Sequence, residues 1–418
     1  MTTLVGADDP IFVGVDIGTT KVCALVGHVD AERRLRVIGV GNVPSQGMRK
    51  GGVVSMEGVA QAVASAKDKA ERTSGFEIAS ALVSLSGAQI SSLNSKGMSG
   101  VAGRTISFDD VGRAVDAARS IALPYNRQVV HVIPRGYVVD GQDGIKSPIG
   151  MHGYRLEVEA HIVTAAATAL RNFEKAVQAG GLEVDSWVLG PLAAAEVVLT
   201  ETEREMGVVV CDVGGGTADI AVYIEGAVWH TAVIPVGGDH LTGDIAQGLH
   251  LPPETAETVK RRHGHSRVVD VEGSEAFAVR PFGQEKALQI ERVELARILE
   301  PRVEELFGLV RQEIKRSGYD GLLPAGMVLT GGTSQLPGIR SVASDVLELP
   351  VRVAGPENLR GLVDQLHSPA YSASVGLLHW ARLQDEQAAL EGHGARGLTL
   401  PRFDLARAAD FLRRLLPG

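Results

Sequence analysis

Cysteines, aromatic residues and long apolar runs are scarce in this chain, and each scarcity removes a class of protein. Only Cys23 and Cys211 occur, both inside apolar β-rich runs, which reads as buried reduced thiols rather than a disulfide framework or a metal site. A reducing cytoplasm is the compartment this suggests. No stretch reaches the roughly 18 consecutive apolar residues of a membrane span, and the opening MTTLVGADDP lacks the basic region and apolar core of a signal peptide. Any contact with a membrane is therefore expected to be made from its surface. Positive charge is short as well: the net charge of -9 argues against a nucleic-acid binder, because duplex affinity comes mainly from Lys and Arg on phosphates.

Glycine, by contrast, is plentiful, with 50 in 418 residues, and 44% hydrophobic residues suffice to bury a core in each of about two or three domains. Some of those glycines sit in a repeated pattern. Residues 11–26, IFVGVDIGTTKVCALV, and 207–224, GVVVCDVGGGTADIAVYI, share one build: an apolar strand, an Asp, a Gly-rich turn with hydroxyls, and a second β-rich strand. Each pair leads into a further apolar run, LRVIGVGNV and AVWHTAVIPVGG, so two related three-stranded meanders are expected. A duplication implies two halves that face each other.

The turns suit phosphate. Gly18, Gly214, Gly215 and Gly216 have no Cβ and let backbone N–H groups approach phosphate oxygens. Thr19, Thr20, Thr217 and Lys21 add hydroxyls and a cation, while Asp16 and Asp212 offer hard oxygens that could hold Mg²⁺ through its water shell. Either turn alone reads equally well as a plain hairpin; the duplication with Asp in register is what lifts it. A third element, GMVLTGGTSQLPGI (326–339), carries a strand into Gly331, Gly332 and Thr333, and AETVKRRHG (256–264) sets Glu257 and Lys260 on one helix face.

Taken in order, DIGTTK, DVGGGTAD, GGDHLTGDIA, AETVK and LTGGTSQLPGI resemble the actin, hexokinase and heat-shock-chaperone ATPase superfamily. Within it the chain most resembles the FtsA family of bacterial cell-division actin homologues. The narrowing segment is VVHVIPRGYVVDGQDGIKSPIGMHGYRLEVEAHIVT (129–164), similar to that family's own subdomain and its return strand. The resemblance implies an α/β, actin-like ATPase fold of two duplicated ribonuclease-H-like halves around a nucleotide cleft. It also implies ATP and Mg²⁺ as cofactors, with Asp16 and Asp212 positioning the metal and the residues of both turns bracketing the phosphates. Gly237, Gly238 and Asp239 would continue the cradle, Glu257 and Lys260 would reach ribose and adenine, and Gly331, Gly332 and Thr333 would close over the nucleoside. Ala218 stands where relatives often carry a further Thr. No residue that activates water is evident; Glu196, in the connector GPLAAAEVVL, is a candidate, and at most a weak Mg-dependent ATPase is expected.

The organisation expected is a first half from 1–86 and 158–206, an inserted α+β subdomain at 87–157, and a second half from 207–244 and 301–382. A helical subdomain at 245–300 would lie beside the cleft. Asp109 or Asp110 would cap a helix of the insert, 301–317 would form a long helix, and SASVGLLHWAR (372–382) would close the second half through Ala373 and Gly376. Residues 383–401, QDEQAALEGHGARGLTLPR, read as a flexible linker spanning about 25 Å root-mean-square.

The segment 402–418 reads as a membrane-targeting amphipathic helix. At 100° per residue Leu405, Ala408, Phe411, Leu412, Leu415 and Leu416 share one arc, with Arg407, Asp410, Arg413 and Arg414 outside it. Four arginines against two aspartates make it locally cationic, which suits an anionic membrane surface. A helix docked on its own domain or on a partner is the alternative reading. One such helix anchors weakly, so attachment would need several tails gathered in a filament.

The FtsA resemblance implies an ATP-binding protein at the cytoplasmic face of the membrane, at the division site. It would self-associate into filaments, anchor the C-terminal peptide of FtsZ and help recruit later division proteins. Arg292, Arg297 and Arg302 on IERVELARILEPRVEELF are candidate carboxylate partners for that peptide, or else exposed arginines in local pairs with Glu. A pilus-assembly actin homologue or a small-molecule kinase of the same superfamily remains the alternative. A chaperone would need a substrate domain after residue 380, for which no room is expected.

Overall fold

The computed structural model describes residues 10–30 and 34–394; the last seven residues of the linker expectation and the whole 402–418 helix lie outside the described residues. In the first half Ile11–Ile17, Lys21–Val29 and Leu35–Pro44 form an antiparallel meander, and Ser80–Leu85 and then Glu183–Leu189 add in parallel beside Ile11–Ile17. The second half repeats this topology. Val208–Val213, Ala218–Ile224 and Ala227–Ile234 make the meander, with Met327–Thr330 and Val351–Val353 parallel beside it. Continuous apolar runs such as VVVCDV are needed because these central strands are covered on both faces. The register is shared too: Asp16 pairs with Cys23 and Asp212 with Asp219 at the same place before each turn. Both cysteines are buried thiols, as expected.

One core cluster joins the halves, running from Val15 and Val63 through Leu192 to Val210 and Tyr223. The inserted subdomain has its own small core around Ile106, Ala114 and Val158. Its antiparallel sheet orders Ile90–Gly100, Arg155–Ala166, Arg127–Val139 and Gln142–Ile145. The return strand pairs along its length with two insert strands, so it belongs to the insert rather than to the first half. Helix Phe108–Arg119 is capped by Ser107; Asp110, three residues on, accepts from the Ser107 N–H in a capping box, which corrects the assignment of the cap to an aspartate.

Three further expectations need correction. The long helix runs Arg292–Ser317 through Pro301, so no boundary falls at residue 300. Buried Leu295, Leu299, Val303, Leu306 and Phe307 on both sides of the proline outweigh one lost backbone hydrogen bond. The connector Gly190–Val198 and the helix after it, Glu201–Met206, capped by Thr200 and Glu203, carry the chain into the second half. Helix Ser372–Gly394 closes the first half, not the second: it packs on Gly190–Val198 and Ile11–Ile17, and a Cβ at Gly376 would sit 1.9 Å from the Ala193 carbonyl oxygen. It also continues through residues 383–394, where the good helix formers of QDEQAALE override the nearby glycines. Among the described residues no helix is long and apolar enough to cross a membrane.

Candidate nucleotide site

Both Gly-rich turns close in the same way: the Gly18 N–H donates to the Lys21 carbonyl at 2.9 Å, and the Gly214 N–H to the Thr217 carbonyl at 2.9 Å. They meet across the cleft. A Cβ on Gly216 would lie 2.7 Å from Thr19 Oγ1 and 2.8 Å from Lys50 Cα, and one on Gly215 would lie 2.6 Å from Thr20 Cγ2. Only glycine permits that approach.

Behind the turns stand the carboxylates. Asp16 is buried and accepts from Ser84 Oγ at 2.7 Å, Ser374 Oγ at 2.7 Å and Lys21 Nζ at 3.3 Å. Burial works to lower the Lys21 pKa, but the attraction of Asp16 leaves it raised. Burial, then repulsion from Asp16, pushes Asp212 up to about 7 against the pull of Lys21. Burial, then repulsion from Asp212, likewise pushes Asp219 up to about 7. Thr217 Oγ1 donates to Asp219 Oδ2 at 3.3 Å, while Asp219 Oδ1 is buried without a partner. Buried carboxylates that repel one another and hold an unsatisfied oxygen fit a cation. Among the described residues no cluster of three such ligands that could hold a metal is found; Mg²⁺ keeps several of its own waters, which the carboxylates would meet.

The second-half motifs converge on the same turn. At the start of helix Gly238–Gly248 the Gly238 N–H donates to the Gly214 carbonyl at 3.0 Å and the Asp239 N–H to the Gly215 carbonyl at 2.7 Å. Thr333 Oγ1 donates to the Gly214 carbonyl at 2.9 Å. Lys260 Nζ reaches the Gly238 carbonyl at 2.9 Å and Thr242 Oγ1 at 2.8 Å, and pairs with Glu257, which accepts from Thr242 at 2.5 Å. Gly331 has φ of +88°, and a Cβ there would meet Asp212 Oδ1 at 2.3 Å. Gly237 and Gly332 lie in the same two segments.

Other candidates fall elsewhere. Glu196 pairs with Arg204 at 3.1 Å, whose guanidinium lies over the Tyr223 ring, 5.0 Å from its centroid. Tyr223 is opposite Val208 in register, at the far end of the strand from the turn, about 17 Å away at some 3.3 Å per residue. Glu196 is thus a half-buried ion-pair partner held toward the end of the sheet away from the turns. Of the three arginines, Arg297 pairs with Glu294, Arg302 with Asp244 at 2.6 Å and with Glu305, and Arg292 with Glu275. Sequence reasoning missed Ser84, Ser374, Lys50 and Asp219. Ser84 and Ser374 carry no local signal; Asp219 could have been found as the register partner of Asp212 within DVGGGTAD.

Two duplicated meanders joined at paired Asp-containing turns, with the third Gly-rich motif beside them, define an actin-like ATPase fold. The PilM-PilN type IV pilus biogenesis complex matches 89% of this chain and 98% of its own with a TM-score of 0.64 at 17% identity. MreB 5 of Spiroplasma citri bound to AMPPNP matches 91% and 98% with a TM-score of 0.53 at 14% identity. These show the fold alone. The sequence is more specific: it is 45% identical over 368 residues to the cell division protein FtsA of Pseudomonas aeruginosa, covering 88% of each. The family model "Cell division protein FtsA" matches residues 209–376, and "SHS2 domain inserted in FTSA" matches 87–164, in keeping with the return strand's place in the insert. The chain belongs to the FtsA family of cell-division proteins.

Proposed function

We propose that the chain binds Mg·ATP between the two turns, polymerises in that state, and tethers FtsZ to the cytoplasmic face of the membrane through residues 402–418. The observation that carries the nucleotide part is the meeting of the two turns, with Gly238, Asp239 and Thr333 bonded to the second turn and Lys260 to Gly238, beside buried carboxylates, one of which keeps an unpartnered oxygen. Gly18 to Lys21 and Gly214 to Thr217 would bracket the phosphates. Glu257 and Lys260 would face the ribose and adenine, and Gly331 to Thr333 the nucleoside. Mg²⁺, when bound near Asp16 and Asp212, would neutralise phosphate charge; the chain's part is to orient the phosphates and to hold the cation's waters with those carboxylates.

For the FtsZ peptide, Arg292 is the best placed of the three arginines. It lines a concavity of about 270 Å³ with Arg262, His263 and Phe277, and an incoming carboxylate would exchange with Glu275. The sequence supports the membrane part: Leu405, Phe411, Leu412, Leu415 and Leu416 would insert while Arg407, Arg413 and Arg414 meet anionic headgroups. Each large side chain contributes at most about 1.5–3 kcal/mol on full burial, so filaments that gather tails give stable attachment. Co-sedimentation with anionic vesicles tests this for the full chain and a 1–401 truncation, each with and without Mg·ATP. The full chain should pellet, more so with nucleotide; equal pelleting of the two chains refutes the membrane role.

A further inference from the structure

The end of the second half away from the nucleotide turns carries a groove distinct from the turns and from the concavity that Arg292 lines. It is a concavity of about 500 Å³ at the start of strand Val208–Val213 and the end of Ala218–Ile224, lined by Met206, Leu322 and Leu349 together with Glu205, Glu225 and Asp320. Met206 is 52% exposed and Leu322 50%, large apolar side chains left in water. Lys146 of the insert pairs with Glu205 at 2.8 Å, and among the described residues Glu225 and Asp320 have no ion-pair partner. Exposed apolar side chains set among acidic ones fit a basic amphipathic segment.

The chain contains one such segment. Residues 402–418 combine Leu405, Phe411, Leu412, Leu415 and Leu416 with Arg402, Arg407, Arg413 and Arg414. They follow the last described residue, Gly394, after only seven intervening residues, a span of up to about 25 Å at full extension. The helix Ser372–Gly394, from which the segment hangs, packs along Gly190–Val198, and the next helix of the chain, Glu201–Met206, ends at the groove. Tethering also raises its local concentration to the millimolar range, where even weak docking counts.

We propose that residues 402–418 dock into this groove of their own chain when no membrane is present, so that the groove and the bilayer compete for one apolar face. This rests on the reading of that segment as membrane-binding. Docking lowers the apparent affinity for vesicles by the fraction of time the segment is undocked; nine-tenths docked means about tenfold.

The test uses the full chain with Ala409→Cys carrying a benzophenone maleimide, since Cys23 and Cys211 are both buried. Photolysis in dilute solution without lipid should give intramolecular cross-links to 205–206, 224–225, 320–324 or 349. The exposed double change Glu225→Lys with Asp320→Lys should abolish them. It should also raise apparent affinity for mixed phosphatidylcholine and phosphatidylglycerol vesicles several-fold, up to about tenfold, with no change in the 1–401 chain. Cross-links elsewhere on the body, cross-links only between two chains, or indifference to the charge reversal overturn the proposal. If instead the full chain and the 1–401 chain pellet alike while the groove cross-links persist, the membrane reading fails and docking stands.

Discussion

Asp219→Asn should make the ligand-free protein more stable at pH 8 while weakening its hold on Mg·ATP. Burial and the nearby Asp212 raise the Asp219 carboxyl from 3.8 to about 7. A raised carboxyl pKa means that the native chain binds more protons than the unfolded chain between those values. Stability therefore falls as pH climbs from about 4 to about 7 and is flat above. A shift of about three units is worth at most about 4 kcal/mol. Because part of it is repulsion from Asp212, and because native sites relax around a charge, about 1–3 kcal/mol is expected. For a chain of this size that is about 1–3 °C in melting temperature. Thermal melts at pH 5 and pH 8, without nucleotide, check it: the wild type should lose more on going to pH 8 than Asp219→Asn does. With Mg·ATP added the order should reverse. A variant that melts below the wild type at pH 8 without ligand, or one with the same pH slope, would refute the reasoning.

Gly376→Ala places a methyl 1.9 Å from the Ala193 carbonyl oxygen; overpacking against backbone should cost about 3 kcal/mol, read as a lower urea midpoint. Glu196→Gln keeps the shape but loses the charge that Arg204 pairs with, so stability should fall by about 1–2 kcal/mol while any ATP turnover stays unchanged. Loss of turnover would return Glu196 to the cleft. Lys260→Met removes the ammonium from the Gly238 carbonyl and Thr242, and nucleotide titrations should show at least about tenfold weaker ATP binding.

The duplicated halves were legible because the signal is local: strand, Asp, Gly-rich turn and strand lie within some twenty residues, and each needs specific residue types. The cleft's supporting shell was not. Ser84 and Ser374 reach Asp16 from strands and helices far away in sequence, and no spacing rule links them. Glycines misled at 383–394, where the helix formers of QDEQAALE carry the helix on to Gly394, and Pro301 misled where buried residues on both sides hold one helix. Glu196 misled in a third way: its connector leads toward the second half, but its partner Arg204 fixes it at the end of the sheet away from the turns.

The most direct measurement is calorimetric titration of ATP into the full chain in Mg²⁺ and in EDTA, repeated with the Asp16→Asn, Asp212→Asn double variant. Binding in the cleft requires a clear heat with Mg²⁺ for the wild type, much weaker binding in EDTA, and little dependence on Mg²⁺ in the variant. Equal affinity for all four combinations would contradict a cation-assisted nucleotide site between the two turns.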